Sequence, residues 1–251
     1  MEEIRSVFII GSGNVATHLA IHLHQVGIVI SGVLSRNIEH ARKLAQQVHS
    51  RAFTDYDEIK VSHPDVILVS ISDSNLEDLR NKLNTDIPVI HTSGTFSSPL
   101  YHGVFYPLQT FSIDRKIDLN TVPFLIEGRD EKLRKQLINL AQKLSSDVRL
   151  TSHEDRKNIH LSAVWVNNFV NHLIFKAKTL AVSNNVDFQL LIPLLEETVL
   201  KAIETDPFNA QTGPARRNDQ LTIESHLSRL KDIDYDLYYL LSKSITDTYN
   251  K

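Results

Sequence analysis

A chain of 251 residues is long enough to bury a real core, as one large domain or two modest ones. Its 41% hydrophobic and 23% charged residues exclude intrinsic disorder and low-complexity architectures, and a net charge of -3 with no long basic run excludes the footprint of a nucleic-acid binder. Cysteine is absent, which removes disulfides, thiolate metal sites and cysteine nucleophiles together.

The first residues, Met1-Glu2-Glu3-Ile4-Arg5, run straight into a strand-like segment rather than a signal peptide. No apolar run approaches the ~20 residues of a membrane span. A cytoplasmic protein with no membrane partner is therefore expected. From there, short apolar runs alternate with amphipathic stretches. The runs start at Val7, Ile28, Val66, Val89, Val104 and Phe124, and their near-continuous apolarity suits strands buried on both faces. Ala16, Leu19, Ala20 and Leu23 share one helix face, and 38–48 and 133–144 read the same way. Strand and helix in alternation predict a parallel sheet with right-handed crossovers, an α/β Rossmann-type doubly wound fold over 1–150.

After Val148-Arg149-Leu150 the strand signals stop. Residues 151–251 predict an all-helical C-terminal domain, with helices over 153–187, 187–204, 220–231 and 235–250. Between them, Asp206 to Asn218 is too rich in turn residues to be helical.

Gly11-Ser12-Gly13-Asn14-Val15-Ala16 follows the first strand and opens the first helix, the context in which G-x-G-x-x-A reads as a dinucleotide turn. The first glycine permits the tight turn and the second lets backbone approach a pyrophosphate. The small Ala16 allows close packing, and the helix N-terminus offers unpaired N–H groups to the anion. A glycine-rich turn without a ligand is the alternative. At the end of the second strand, Leu34-Ser35-Arg36-Asn37 carries no acid for a ribose 2′-hydroxyl. An arginine there can clamp a 2′-phosphate, so NADP is expected over NAD, unless Arg36 is merely a solvated helix-start residue. Ser70-Ile71-Ser72-Asp73 and His91-Thr92-Ser93-Gly94 end later strands and should line the same cleft, with Ser70, Ile71, Ser72, Thr92 and Ser93 as cofactor contacts.

At 100° per residue, His160, Asn167, Asn171 and Lys178 form a narrow stripe on a helix that is otherwise apolar, from Leu161 through Trp165 and Phe169 to Ile174. Such a helix is expected to be central and buried. The stripe then faces a wet cleft, a partner helix or solvent. His18 and His22 are spaced for a metal but lack a third ligand, so no metal is expected and both are read as a solvated helix face. Arg216 and Arg217, in a turn-rich loop after Gly213-Pro214, either grip an anionic substrate or pair with Glu196 and Glu197.

Gly11-Ser12-Gly13-Asn14-Val15-Ala16, His91-Thr92-Ser93-Gly94, Tyr106-Pro107-Leu108-Gln109-Thr110-Phe111 and Thr212-Gly213-Pro214-Ala215-Arg216-Arg217 occur in this order. In this the chain resembles Rossmann-like proteins with a C-terminal DUF2520 domain, classed with NADP oxidoreductases through similarity to F420-dependent NADP reductases. More distantly it resembles the 6-phosphogluconate and β-hydroxyacid dehydrogenase superfamily. The resemblance implies an N-terminal dinucleotide domain, a helical C-terminal domain that dimerises, and a cleft between them with Gln109 toward the substrate. Two positions depart from the pattern. Tyr106 stands where relatives carry histidine, and Ala163 and Val164 stand where the superfamily places a lysine.

The leading expectation is an NADP-dependent oxidoreductase passing a hydride to or from a small polar or anionic substrate. His160 is its acid–base candidate, with Asn167 and Asn171 orienting the substrate and Gln109, Arg216 and Arg217 binding it. The alternatives are a catalytically silent nucleotide sensor or scaffold and a structural dimerisation protein.

Overall fold

The computed structural model describes residues 3–83 and 85–250, the side chain of Val61 apart. Met1 and Glu2, part of the N-terminal stretch read above, lie outside them. The chain divides into two compact units, Met1–Leu173 and Ile174–Lys251.

The first unit is built on β1 (Ser6–Ile10), β2 (Val29–Leu34), β3 (Ala52–Phe53), β4 (Val66–Val69), β5 (Val89–His91), β6 (Gly103–Pro107), β7 (Phe124–Gly128) and β8 (Val148–Leu150). They form one sheet in the order β3-β2-β1-β4-β5-β6-β7-β8. Between the strands run α1 (Asn14–Gln25), α2 (Ile38–Gln47), α3 (Glu58–Ser62), α4 (Leu76–Lys82) and α5 (Glu131–Gln142). Successive residues of β1 point to opposite faces. Val7 and Ile9 join Leu19 and Leu23 of α1, Leu44 of α2 and Leu137 of α5 in one cluster. Phe8 and Ile10 join Ile59 of α3 with Leu76 and Leu79 of α4 in the other. The sheet is thus doubly wound, and the strand order reverses direction between β1 and β4.

The expected parallel sheet is observed with one departure. The sheet is parallel except that β6 and β7 pair antiparallel, Phe105 opposite Ile126. Their connection holds only the 3-10 turn Leu119–Thr121, with no helix to carry the chain over a sheet face, so β7 returns beside β6.

Residue 150 ends the last strand, yet the first unit continues to Leu173. It takes in α6 (His153–Ala163), which Ser152 starts with a reciprocal cap: its hydroxyl accepts from Asp155 N–H at 3.1 Å and donates to the Asp155 carboxylate at 2.7 Å. Val164–Phe169 is a π-helical turn, and α7 (Val170–Ser183) follows. The expected burial of this helix is not observed. Trp165 is 61% exposed and Val166 74%. Apolar composition signals that a surface needs covering, and the Phe169 ring, edge-on to Trp165 at 5.1 Å, still leaves most of the indole exposed.

The second unit contains the rest of α7, α8 (Ile192–Thr205), α9 (Pro207–Ala210), α10 (Gln220–Leu227) and α11 (Asp232–Tyr249). The segment 206–218, expected to lack helix, holds the single turn α9 and the 3-10 turn Ala215–Arg217. The Asp206 carboxylate accepts from Phe208 N–H at 2.9 Å, and Pro207 supplies the fixed φ of a first helical position, so turn residues here start a helix rather than prevent one. Among the described residues no helix is long and apolar enough to cross a membrane.

Candidate functional site

The glycine turn shows two different reasons for glycine. Gly11 has φ +124°, and a Cβ there would collide with the Ser70 carbonyl of β4's end. Its N–H donates to Leu34 O of β2 at 2.8 Å. The fold itself requires glycine at this position. Gly13 is different. It caps α1 in extended backbone, φ -80°, with no side-chain cap, and a Cβ there would meet nothing within 4 Å. Neither strain nor packing demands glycine at 13, so what it preserves is open space before an uncapped helix N-terminus. The first turn of α1 carries no acid that would repel an anion.

This turn borders a cleft of about 760 Å³ along the carboxyl ends of β1, β2, β4 and β5. Every cofactor position predicted from the sequence lines it: Gly11 to Val15, Ser35, Arg36, Ser70 to Ser72, Thr92 and Ser93. Hydroxyls tie the walls together. Ser12 Oγ donates to Ser35 Oγ at 2.9 Å, and Thr92 Oγ1 to Ser70 Oγ at 3.1 Å. The Asp73 carboxylate accepts from Ser93 and Thr95 hydroxyls, both at 2.7 Å. Asn37 is spent as the α2 cap, accepting from Glu39 N–H at 2.9 Å. Arg36 is exposed, and no ion pair engages it among the described residues.

His160 reaches the same cleft from α6. Its Nδ1 lies 3.1 Å from the Tyr106 hydroxyl of β6. The ring approaches so closely to Gly94 that a Cβ there would overlap it. Burial raises the Tyr106 phenol above its ordinary pKa. Tyr106, Gln109 and His160 also border a second cavity of about 680 Å³, which Asn167 lines. Asn167 and Asn171 meet in a third cavity of about 680 Å³, again bordered by Gln109. The stripe drawn at 100° per residue does not survive unchanged, because the π turn widens the helix between His160 and Asn171. His160 lines the cleft and the second cavity, Asn171 lines the third, and Asn167 borders both the second and the third.

Sequence reasoning missed what holds α6 in place. Arg156 is fully buried. Its guanidinium donates to Glu127 Oε1 of β7 at 2.6 Å and to the carbonyls of Ser93 at 2.7 Å and Phe96 at 2.9 Å. Burial first, then the Arg156 charge, push the nearby His91 ring down to about 3, so it is neutral and its Nδ1 accepts from Ser93 N–H at 3.1 Å. A lone Arg in a polar helix start carries no sequence signal of burial.

His18 and His22 do not form a solvated face. His18 is buried and its Nε2 meets Ser112 O at 2.9 Å, while His22 Nε2 meets Ile117 O at 3.1 Å. Asn14 Nδ2 donates to Phe111 O at 2.9 Å. Residues 14, 18 and 22 share one face of α1 and clasp the 108–123 loop to it.

In the second unit Arg216 stacks over the Tyr249 ring at 4.4 Å. Among the described residues no ion pair joins Arg216 or Arg217 to Glu196 or Glu197, and the aromatic face of α11 takes the Arg216 guanidinium instead. Asn218 closes that turn in the left-handed conformation, φ 55°.

Residues 6–91 match the family model for NADP oxidoreductase, coenzyme F420-dependent, and residues 122–245 match the domain of unknown function DUF2520. A crystal structure described as a candidate NADP oxidoreductase from Bacteroides fragilis is 37% identical to this chain, covers 98% of each chain and superposes with a TM-score of 0.89. This chain belongs to that NADP oxidoreductase family. A protein from Thermotoga maritima shares the fold at 23% identity and a TM-score of 0.76, covering 98% of this chain and 100% of its own. An imine reductase from Myxococcus stipitatus, solved with NADP+, shares the fold at 13% identity and a TM-score of 0.69, covering 98% of this chain and 100% of its own. No curated protein matches. The oxidoreductase membership agrees with the cleft: the glycine turn and the hydroxyl-lined strand ends lie within or beside the span of the first family model.

Proposed function

We propose that this oxidoreductase uses NADP and transfers a hydride to or from a small polar or anionic substrate at the His160 end of its cleft. The open space before Gly13 carries the reading, because the fold gives no other reason for glycine there. The first-turn amides of α1 and the Ser12 hydroxyl would hold the pyrophosphate. Ser35 and the unpaired Arg36 would hold a 2′-phosphate, which favours NADP over NAD. When bound, the nicotinamide supplies or accepts the hydride.

The chain's own residues handle the proton and the substrate. Tyr106, kept protonated by burial, donates to His160 Nδ1 and so directs the second ring nitrogen, Nε2, to acid–base work. Asn167 and Asn171, with Gln109, orient the substrate. The exposed apolar side chains of the second unit, Val182 at 62%, Leu194 at 63% and Ile203 at 76% among them, support a homodimer through that unit, which light scattering tests. The central experiment titrates the protein with NADPH and NADH. Tighter NADPH binding is expected, and Arg36→Ala should erase the preference. Binding of neither nucleotide below millimolar concentration overturns the reading. Binding without turnover across carbonyl, imine and hydroxyacid substrates would favour a nucleotide sensor.

A further inference from the structure

The third cavity is electrostatically unlike the cofactor cleft. Arg115 and Lys116 line it from the 108–123 loop, facing Asn167, Asn168 and Asn171 of the π turn and its continuation. No Asp or Glu lines it. Asp114 and Asp118 sit on the same loop outside the lining, and Asp118 is engaged in accepting from Asn120 N–H at 2.9 Å. Among the described residues neither Arg115 nor Lys116 has an ion pair. The pocket therefore offers two adjacent cations and several amide donors to whatever enters it.

The position of these cations is set by the cofactor helix. Asn14, His18 and His22 of α1 hold the carbonyls of Phe111, Ser112 and Ile117, on either side of Arg115 and Lys116. The Arg115 N–H closes a turn onto Ser112 O at 3.1 Å. Gln109 borders this pocket, the cavity beside it and the cofactor cleft, so the three adjoin one another at that residue.

We propose that Arg115 and Lys116, with Asn171, form the anion-recognition pocket of the substrate site. They would bind a carboxylate or phosphate group while the reacting end lies at Tyr106 and His160. The assignment rests on the oxidoreductase reading and names its substrate class: an organic anion. It moves the anion grip from Arg216 and Arg217, where the sequence put it, to the loop clasped by α1.

The test uses the whole protein saturated with NADPH, so that the glycine turn is blocked, and chloride to hold ionic strength constant. Inorganic phosphate and succinate are titrated by calorimetry, with fluorescence of Trp165, the single tryptophan, as a second readout. Saturable millimolar binding of at least one is expected, and the tighter of the two identifies the group recognised. The double variant R115A/K116A should weaken it about tenfold or more while NADPH affinity is unchanged. Asn171→Asp, which places a carboxylate in the pocket, should weaken it as well. The same titration without NADPH, read as the difference between wild type and R115A/K116A, tests the pocket independently of nucleotide binding. Equal anion binding by wild type and double variant, or no saturable binding of either anion by wild type, overturns the proposal.

Discussion

Replacing Arg156 by leucine tests whether one buried cation holds the helix that brings His160 to the cleft. The side chain is fully buried, and it satisfies Glu127 and the carbonyls of Ser93 and Phe96. Leucine fills much of the volume but removes the donor from these three acceptors and from the His153 ring nitrogen, which the guanidinium also meets at 3.1 Å. Breaking a buried ion pair by removing one partner costs about 3–5 kcal/mol. The Glu127 side chain is 20% exposed, so water reaches it and the lower end applies, about 3 kcal/mol. For a unit of this size that is a fall in melting temperature of roughly 6–12 °C. Urea denaturation and thermal scans measure it directly. The double variant Arg156→Leu/Glu127→Leu removes both charges and should recover part of the loss, since a buried pair replaced by apolar side chains is close to neutral. A loss below about 1 kcal/mol in Arg156→Leu, or a double variant as unstable as the sum of the singles, would refute the reasoning.

Gly11→Ala and Gly13→Ala should part ways. The first meets a positive φ and the Ser70 carbonyl and lowers the melting temperature, whereas the second leaves it nearly unchanged and weakens NADPH binding; equal thermal losses would contradict this. His91 gives a pH dependence. Its folded pKa of about 3 lies below the ~6.5 of an unfolded histidine, so the unfolded chain takes up the proton first. Its contribution to stability is complete above pH ~6.5 and shrinks as pH falls from there toward 3. His91→Asn should flatten the urea midpoint over that window relative to wild type, and parallel curves would count against it. Gly94→Ala drives a methyl into the His160 ring, so the folded variant should show shifted His160 resonances by NMR while the Trp165 environment stays unaltered. An unmoved ring would place His160 elsewhere.

Local periodicity and spacing determined much of this protein. The apolar runs became strands, the face of Leu19 and Leu23 became the buried side of α1, and Gly11 to Ala16 fell at the junction of the first strand and first helix. These features depend on neighbours within a turn or a strand, so they are written in the sequence directly. The resemblance of the four motifs to known oxidoreductases added the family. Tertiary structure alone decided the rest. Arg156 meets Ser93 across 63 residues, and His18 meets Ser112 across 94. The reversed β7, the clasped cationic loop and the exposed faces around Trp165 likewise depend on which distant segments pack together. A charged or imidazole side chain looks the same in sequence whether water or a remote carbonyl satisfies it, and only the folded chain shows which one does.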